Sequence, residues 1–255
     1  MAERPTETDG AWTRLRRLTA ARIGLARSGA SLATAPLLEF RLAHARARDA
    51  VHEPLDEARL VADLGWLGLP VRTAMSAADN RHAYLMRPDL GRRLARDSEA
   101  ALKKDAGQYD VAIVICDGLS ARAVQMHAPP ALAELLPALR KQSVRVAPLV
   151  VVRHGRVAIG DAITALLGAD CATVLIGERP GLTAPDSMGA YLTWRPSPQT
   201  TDAERNCVSN IRPDGIGYAD AAAKLAFLLG AIRARQLSGV QLKDDSDRLL
   251  RAPPA

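Results

Sequence analysis

The sequence predicts an α/β protein in which a wound parallel sheet follows a helical N-terminal region. Three observations predict it. Short runs rich in Val and Ile recur between residues 109 and 177, the pattern of strands buried on both faces. Helical stretches alternate with these runs, and strand–helix–strand alternation winds into a parallel sheet. The first hundred residues carry Ala, Leu and Arg in helical periods and are expected to pack on that sheet. The division expected is a helical region over residues 1–105 and a sheet domain over residues 106–255.

Each element has its own justification. Residues 1–11 are polar and aperiodic, the composition of disorder. WTRLRRLTAARIGLARS, residues 12–28, reads as a basic amphipathic helix, either a frayed terminal helix or a docking and targeting peptide. Residues 34–52 form a helix that Thr34 caps, with Pro36 in its first turn. Its polar positions Arg41, His44, Arg48 and His52 share one face, a polar or partner-facing stripe; no carboxylate completes a metal set with the histidines. Residues 55–67 continue as helix, and RPDLGRRL, 87–94, is a turn. YDVAIVICDG, 109–118, is the first strand; residues 119–142 are helical and broken by Pro129-Pro130. VRVAPLVVVR, 144–153, is the second strand and residues 160–169 a short helix. CATVLIG, 171–177, and GAYLTW, 189–194, are the next strands, and CVSNI a fifth. Residues 217–237 form a long Ala/Leu helix.

Composition narrows the function. The 255 residues are 48% hydrophobic and 24% charged, enough to build a sizeable core. No apolar run reaches the roughly 18 residues of a membrane span, and the acidic N-terminus has no secretory h-region. A soluble, intracellular chain is expected. Its three cysteines, Cys116, Cys171 and Cys207, are widely spaced and match no zinc pattern. The net charge is +6, but the excess is Arg dispersed among acids, without the basic block interleaved with aromatics that nucleic-acid binding needs.

Ligands of open α/β sheets bind at the carboxyl ends of the strands. Three polar turns end strands here: Cys116-Asp117-Gly118, His154-Gly155-Arg156 and Gly177-Glu178-Arg179-Pro180-Gly181. They should share one edge. Two readings of Glu178-Arg179 stand side by side. The charges line the mouth of a site, or they pair locally to hold a turn. TDAERNCVSNI, 201–211, is dense in polar groups and reads as a segment making many hydrogen bonds. Cys207 is a nucleophile only with a histidine in reach. GxSxG, GxxxxGK[ST] and GxGxxG are absent. The pattern alone fits a free-standing α/β binding protein for a nucleotide-like ligand.

Longer phrases carry a resemblance. LIGERPGLTAPDSMGAYLTWRP, TDAERNCVSNIRPDGIGYADAAAKL and LSGVQLKDD, with RIGLARSGASLATAPLLEFRLAHARARDAVH, YLMRPDLGRRL, DGLSARAV and GRVAIGDAI, resemble the small subunit of ethanolamine ammonia-lyase over residues 20–243. That resemblance implies an adenosylcobalamin-dependent carbon–nitrogen lyase converting ethanolamine to acetaldehyde and ammonia. It implies a Rossmann-like cobalamin module covering the cofactor at the interface with a large catalytic subunit, which holds the ethanolamine. The N-terminal region would pack on the core and on that partner. Val157 of GRVAIGD, Glu178 of GERPG and Cys207 of RNCVSN match the family's cofactor-binding positions. No residue of this chain is expected to be catalytic or to ligate a metal. The sequence lacks the DxHxxG that would supply cobalt with a histidine. The expected location is the cytoplasm, in some family members inside a bacterial microcompartment reached through an N-terminal segment.

Overall fold

The computed structural model describes residues 7–246. Its eight helices and eight strands are built around one six-stranded sheet. Helix α1 spans Glu7–Arg16, so the segment expected to be helical over 12–28 keeps helix only at its start. A short antiparallel pair follows, β1 (Arg27–Ser28) with β2 (Ser31–Leu32). Helix α2 is Thr34–His52, as its periodicity predicts. Only Ala47 and Ala50 of it are buried, and Leu38, Phe40 and Leu42 stand exposed along its first half. Helix α3, Glu57–Gly65, is capped by the Asp56 carboxylate, which accepts from the Arg59 N–H at 3.1 Å.

Strand β3, Val71–Met75, belongs to the main sheet; the helical reading of the first hundred residues missed it. Its five residues are mostly exposed or half-buried, so it lacks the continuous apolar run that marks the interior strands. Helices α4 (Arg81–Met86) and α5 (Arg96–Leu102) also went unread. Each is two turns or fewer, too short to show a period.

The interior strands are β4 (Tyr109–Cys116), β5 (Leu149–Arg153) and β6 (Ala169–Gly177), joined by α6 (Ala121–Lys141) and α7 (Ile159–Leu167). Helix α6 runs unbroken through Pro129, Pro130 and Pro137, contrary to the break expected. The prolines are half-buried or exposed, so carbonyls left without an N–H partner are not sealed in the core. On the other side an unbroken apolar row including Val124, Leu132, Leu135 and Leu139 is buried. That burial outweighs the roughly 3 kcal/mol each interior proline costs.

The strand order is β3-β5-β4-β6-β7-β8. The first four strands are parallel. The last two, β7 (Met188–Trp194) and β8 (Asn206–Ile211), are antiparallel to their neighbours, so the sheet is mixed rather than wholly parallel. A parallel crossover needs a dozen or more residues, usually a helix. Only residues 178–187 separate β6 from β7, and they return the chain as a hairpin. Helix α8, Tyr218–Arg235, packs with α6 over one face, around Leu192, Val208 and Leu229. Helix α7 covers Val114, Val150 and Val174 on the other. Helix α7 lies mainly on β4 and β6, whereas β7 and β8 take their main helix packing from α6 and α8. The opposite face of β7 and β8 is left as a shelf, on which Tyr191 is half-buried and Cys207 exposed.

Candidate functional site at the strand ends

The three polar turns meet at one edge, as parallel pairing requires. Cys116 is level with Val152 and with Ile176, so β4, β5 and β6 all end there. Backbone bonds tie the turns together. The Leu119 N–H donates to the Gly177 carbonyl at 2.9 Å, and the Gly155 N–H to the Asp117 carboxylate at 3.2 Å. Asp117 is buried, and burial raises its pKa above the usual carboxylate range.

A cavity of about 460 Å³ opens at this edge, lined by Tyr84, Arg156, Val157, Glu178, Arg179 and Tyr191 among others. Two of the three predicted site residues, Val157 and Glu178, therefore share it. Cys207 lies beside it: it pairs with Tyr191 across β7 and β8, and the Tyr191 hydroxyl hydrogen-bonds its sulfur. A larger hollow of about 850 Å³ lies among Trp12, Arg16, Arg22 and Arg27. It holds none of the strand-end residues.

Glu178 does not pair with Arg179. Its Oε2 accepts the Ser187 hydroxyl and, at 3.4 Å, the Asn210 N–H. Its backbone N–H donates to the Ser187 carbonyl at 2.9 Å. A register shift in the β7–β8 ladder accompanies Asn210 at φ +59°, and such bulges re-aim local groups. Gly189 makes room for the carboxylate: a Cβ there would sit 2.7 Å from Glu178 Oε1. The loop from 178 to 187 is fastened from behind. The Ser120 hydroxyl donates to the Pro185 carbonyl at 3.1 Å. Buried His127 stands 3.9 Å from Asp186 through Nε2 and 2.8 Å from the Tyr218 hydroxyl through Nδ1.

Cys207 is no activated nucleophile. Although the residue as a whole is exposed, partial desolvation of its sulfur and the nearby Glu178 charge push its thiol up, and the Tyr191 hydrogen bond only partly offsets them. Burial above all also raises the Tyr191 hydroxyl, to about 12. Both groups are protonated at neutral pH. The segment 201–211 makes the many bonds its polarity predicts. Thr201 and Glu204 cap each other, and both ends of the Asn206 amide bind the backbone at Gly239. No cluster of three or more His, Cys, Asp or Glu suited to a metal occurs among the described residues.

The family model for the ethanolamine ammonia-lyase light chain matches residues 9–243. The chain belongs to the ethanolamine ammonia-lyase light-chain family. Individual relatives agree. The ethanolamine ammonia-lyase small subunit of Bradyrhizobium diazoefficiens is 55% identical over 234 residues, 91% of this chain and 90% of the relative. The small subunits of Azotobacter vinelandii and Pseudomonas fluorescens are 50% and 49% identical, covering 97% and 96% of this chain and 93% and 91% of their own. In this light-chain family member the strand-end cavity thus holds two of the positions the resemblance selects and adjoins the third. Arg156 belongs to one of the three turns the sequence singles out, and it lines the cavity; Tyr191, Ser187 and Tyr84 were not foreseen. Tyr191 was findable, because period-2 alternation puts it on one face with Gly189 and Thr193. Ser187 and Tyr84 reach the site only through tertiary folding.

Proposed function

We propose that this chain is the small subunit of an adenosylcobalamin-dependent ethanolamine ammonia-lyase and holds the cofactor's periphery against the large catalytic subunit. The observation that carries the proposal is the convergence of Val157, Glu178 and, through Tyr191, Cys207 on one uncovered edge of the sheet. Residues 106–255 then form the Rossmann-like cofactor module. Residues 1–105 form the partner-facing region, which lends β3 to the sheet.

The residues fit the group. A corrin is broad, apolar on its faces and fringed with amides. On the shelf of β7 and β8, half-buried Tyr191 and exposed Cys207 give a weakly polar surface. Glu178 has one oxygen held by Ser187 and Asn210, which leaves Oε1 to accept an amide N–H. Val157, half-buried against the α7 side of the core, gives apolar contact. A cavity of about 460 Å³ is too small to enclose a corrin, which suits a site completed by a second chain. The exposed Leu38, Phe40 and Leu42 of α2 supply apolar surface for such a partner. When bound, the cofactor supplies a cobalt–carbon bond whose homolysis begins radical chemistry on ethanolamine. This chain's residues bind, orient and exclude water; none moves a proton. The complex is placed in the cytoplasm. Residues 12–28 are the candidate address for a microcompartment, testable by fusing them to a fluorescent protein.

Ethanolamine-dependent acetaldehyde release tests the proposal. This chain, a family large subunit and adenosylcobalamin are mixed, and each is omitted in turn. Activity only with all three supports it. Silence, with the large subunit active on its own small partner, favours a free-standing α/β binding protein for a nucleotide-like ligand.

A further inference from the structure

Two guanidinium groups flank the ring of buried Tyr84, and each has one buried nitrogen without an acceptor, Nη2 in Arg81 and Nε in Arg156; they differ in their remaining partners and in access to the cavity. Arg81 lies 4.9 Å from the ring centroid and is turned inward. Its Nε donates to the Val51 carbonyl at 2.7 Å, its Nη1 to the Gly118 carbonyl at 2.6 Å, and the Asp117 carboxylate is 3.9 Å away. Arg156 lies 4.4 Å from the centroid and lines the strand-end cavity. Its side chain makes one hydrogen bond, from Nη2 to the Tyr84 carbonyl at 3.2 Å. No carboxylate among the described residues pairs with it, and its Nε is buried without an acceptor.

Arg156 is nonetheless fixed in place. Its backbone N–H donates to the Gly91 carbonyl at 2.8 Å, and its stem crosses Gly91 so closely that a Cβ there would sit 2.8 Å from Arg156 Cγ. A guanidinium has five N–H donors. Here one is used, the ring holds the plane, and the charge is not neutralised. Most buried side-chain donors have a partner, and an unpaired guanidinium that also lines a cavity is placed to take an acceptor from a ligand. The planar fork suits a phosphate group. Arg179 adds a second unpaired, exposed cation to the same cavity.

We propose that Arg156 is the subsite for the phosphodiester of the bound corrinoid's nucleotide tail, with Arg179 as an outer cation. The proposal rests on the cobalamin reading of this site. Cobalamin's amides are neutral and need no cation. The phosphodiester joining the corrin side chain to the ribose carries its formal negative charge. The tail would then leave the shelf between the β5 and β6 ends, while Glu178 meets an amide of the ring.

The test compares two corrinoids on the complex of this chain with its large subunit. Cyanocobalamin has the phosphodiester; dicyanocobinamide lacks the whole nucleotide tail. Affinities are read from the absorbance change on titration, so no turnover is needed. Arg156→Met should weaken cyanocobalamin binding about 10- to 100-fold and leave dicyanocobinamide within about twofold of wild type. Arg156→Lys, which keeps a point charge without the fork, should fall between and guards against a folding failure of the Met variant. Glu178→Ala should weaken both corrinoids alike. Equal loss for both corrinoids in Arg156→Met, or no loss for either, overturns the phosphate assignment while leaving the site intact. A wild-type complex that binds neither corrinoid overturns the cofactor reading and the subsite with it.

Discussion

Arg205 and Asp161 meet in two 2.7 Å hydrogen bonds, with side chains only 2% and 9% exposed. Arg205 also donates to the Thr193 hydroxyl at 3.1 Å. The pair links two elements distant in the chain. Asp161 lies in the first turn of α7, four residues after Val157, and Arg205 stands two residues before Cys207. A buried bidentate pair therefore sets how far the helix start is held from the shelf. Asp202, exposed and 3.6 Å from Arg205 Nε, compensates the guanidinium only in part, so removing Asp161 leaves a largely unpaired buried charge and costs about 3 kcal/mol. Asp161→Ala should lower the melting temperature by roughly 10 °C. A shift of a degree or two in calorimetry would show that the pair is not held as described.

Glu178 should govern retention of the cofactor. A hydrogen bond from a cofactor amide to its carboxylate would be charge-assisted and would contribute about 1.5–3 kcal/mol. Glu178→Ala should therefore weaken cobalamin binding to the complex by about 10- to 100-fold, measured by equilibrium titration. Its effect on thermal stability should be small, because Glu178 is only half-buried. Unchanged retention would remove Glu178 from the site.

Gly189 should matter for the same reason while touching no ligand itself. A methyl group there would lie 2.7 Å from Glu178 Oε1, so the carboxylate must swing away. Gly189→Ala should leave the fold near wild-type stability, since a flexible side chain can yield. It should still reproduce most of the binding loss of Glu178→Ala. Additive losses in the double variant would refute this coupling.

The His127 latch predicts a pH dependence. Burial lowers the His127 pKa below its ordinary value, opposed in part by the Asp186 charge. Arg212 and Arg122 lower it further, and the Tyr218 hydroxyl bonds the other ring nitrogen. The folded protein thus prefers the neutral ring, so this stabilisation is complete above the unfolded value near 6.5. It is lost as pH falls through the lower folded value. The drop in melting temperature between pH 7.5 and 5.5 should be smaller in His127→Gln than in wild type. An equal or larger drop in the variant would assign the acid sensitivity elsewhere.

How much of this was legible in the sequence depended on the physical signal each part leaves. The runs 109–118 and 171–177 are Val- and Ile-rich because β4 and β6 are buried on both faces, and they were read correctly. Strand β3 sits at the sheet edge with its residues largely exposed or half-buried and left no such run. The antiparallel turn of β7 was implicit in the ten residues after Gly177, too few for a crossover helix. The proline pair in α6 misled because local propensity was overridden by burial along Val124, Leu132 and Leu139. The three strand-end turns were found, because polar residues after apolar runs mark sheet edges. Arg156 stood in one of those turns, but its packing on Tyr84, like the bond from Ser187 to Glu178, is a contact that no spacing announces.

If the outer face of β7 and β8 seats the cofactor, blocking that face should expel it. Cys207 is exposed there, with its side chain beside Tyr191, so Cys207→Trp adds bulk to the shelf and not to the core. The measurement is the cobalamin absorbance retained after gel filtration of the complex of this chain with its large subunit. Cys207→Trp should still assemble with the large subunit and elute without cobalamin, while wild type elutes with it. An assembled Cys207→Trp complex retaining as much cobalamin as wild type would contradict that seating.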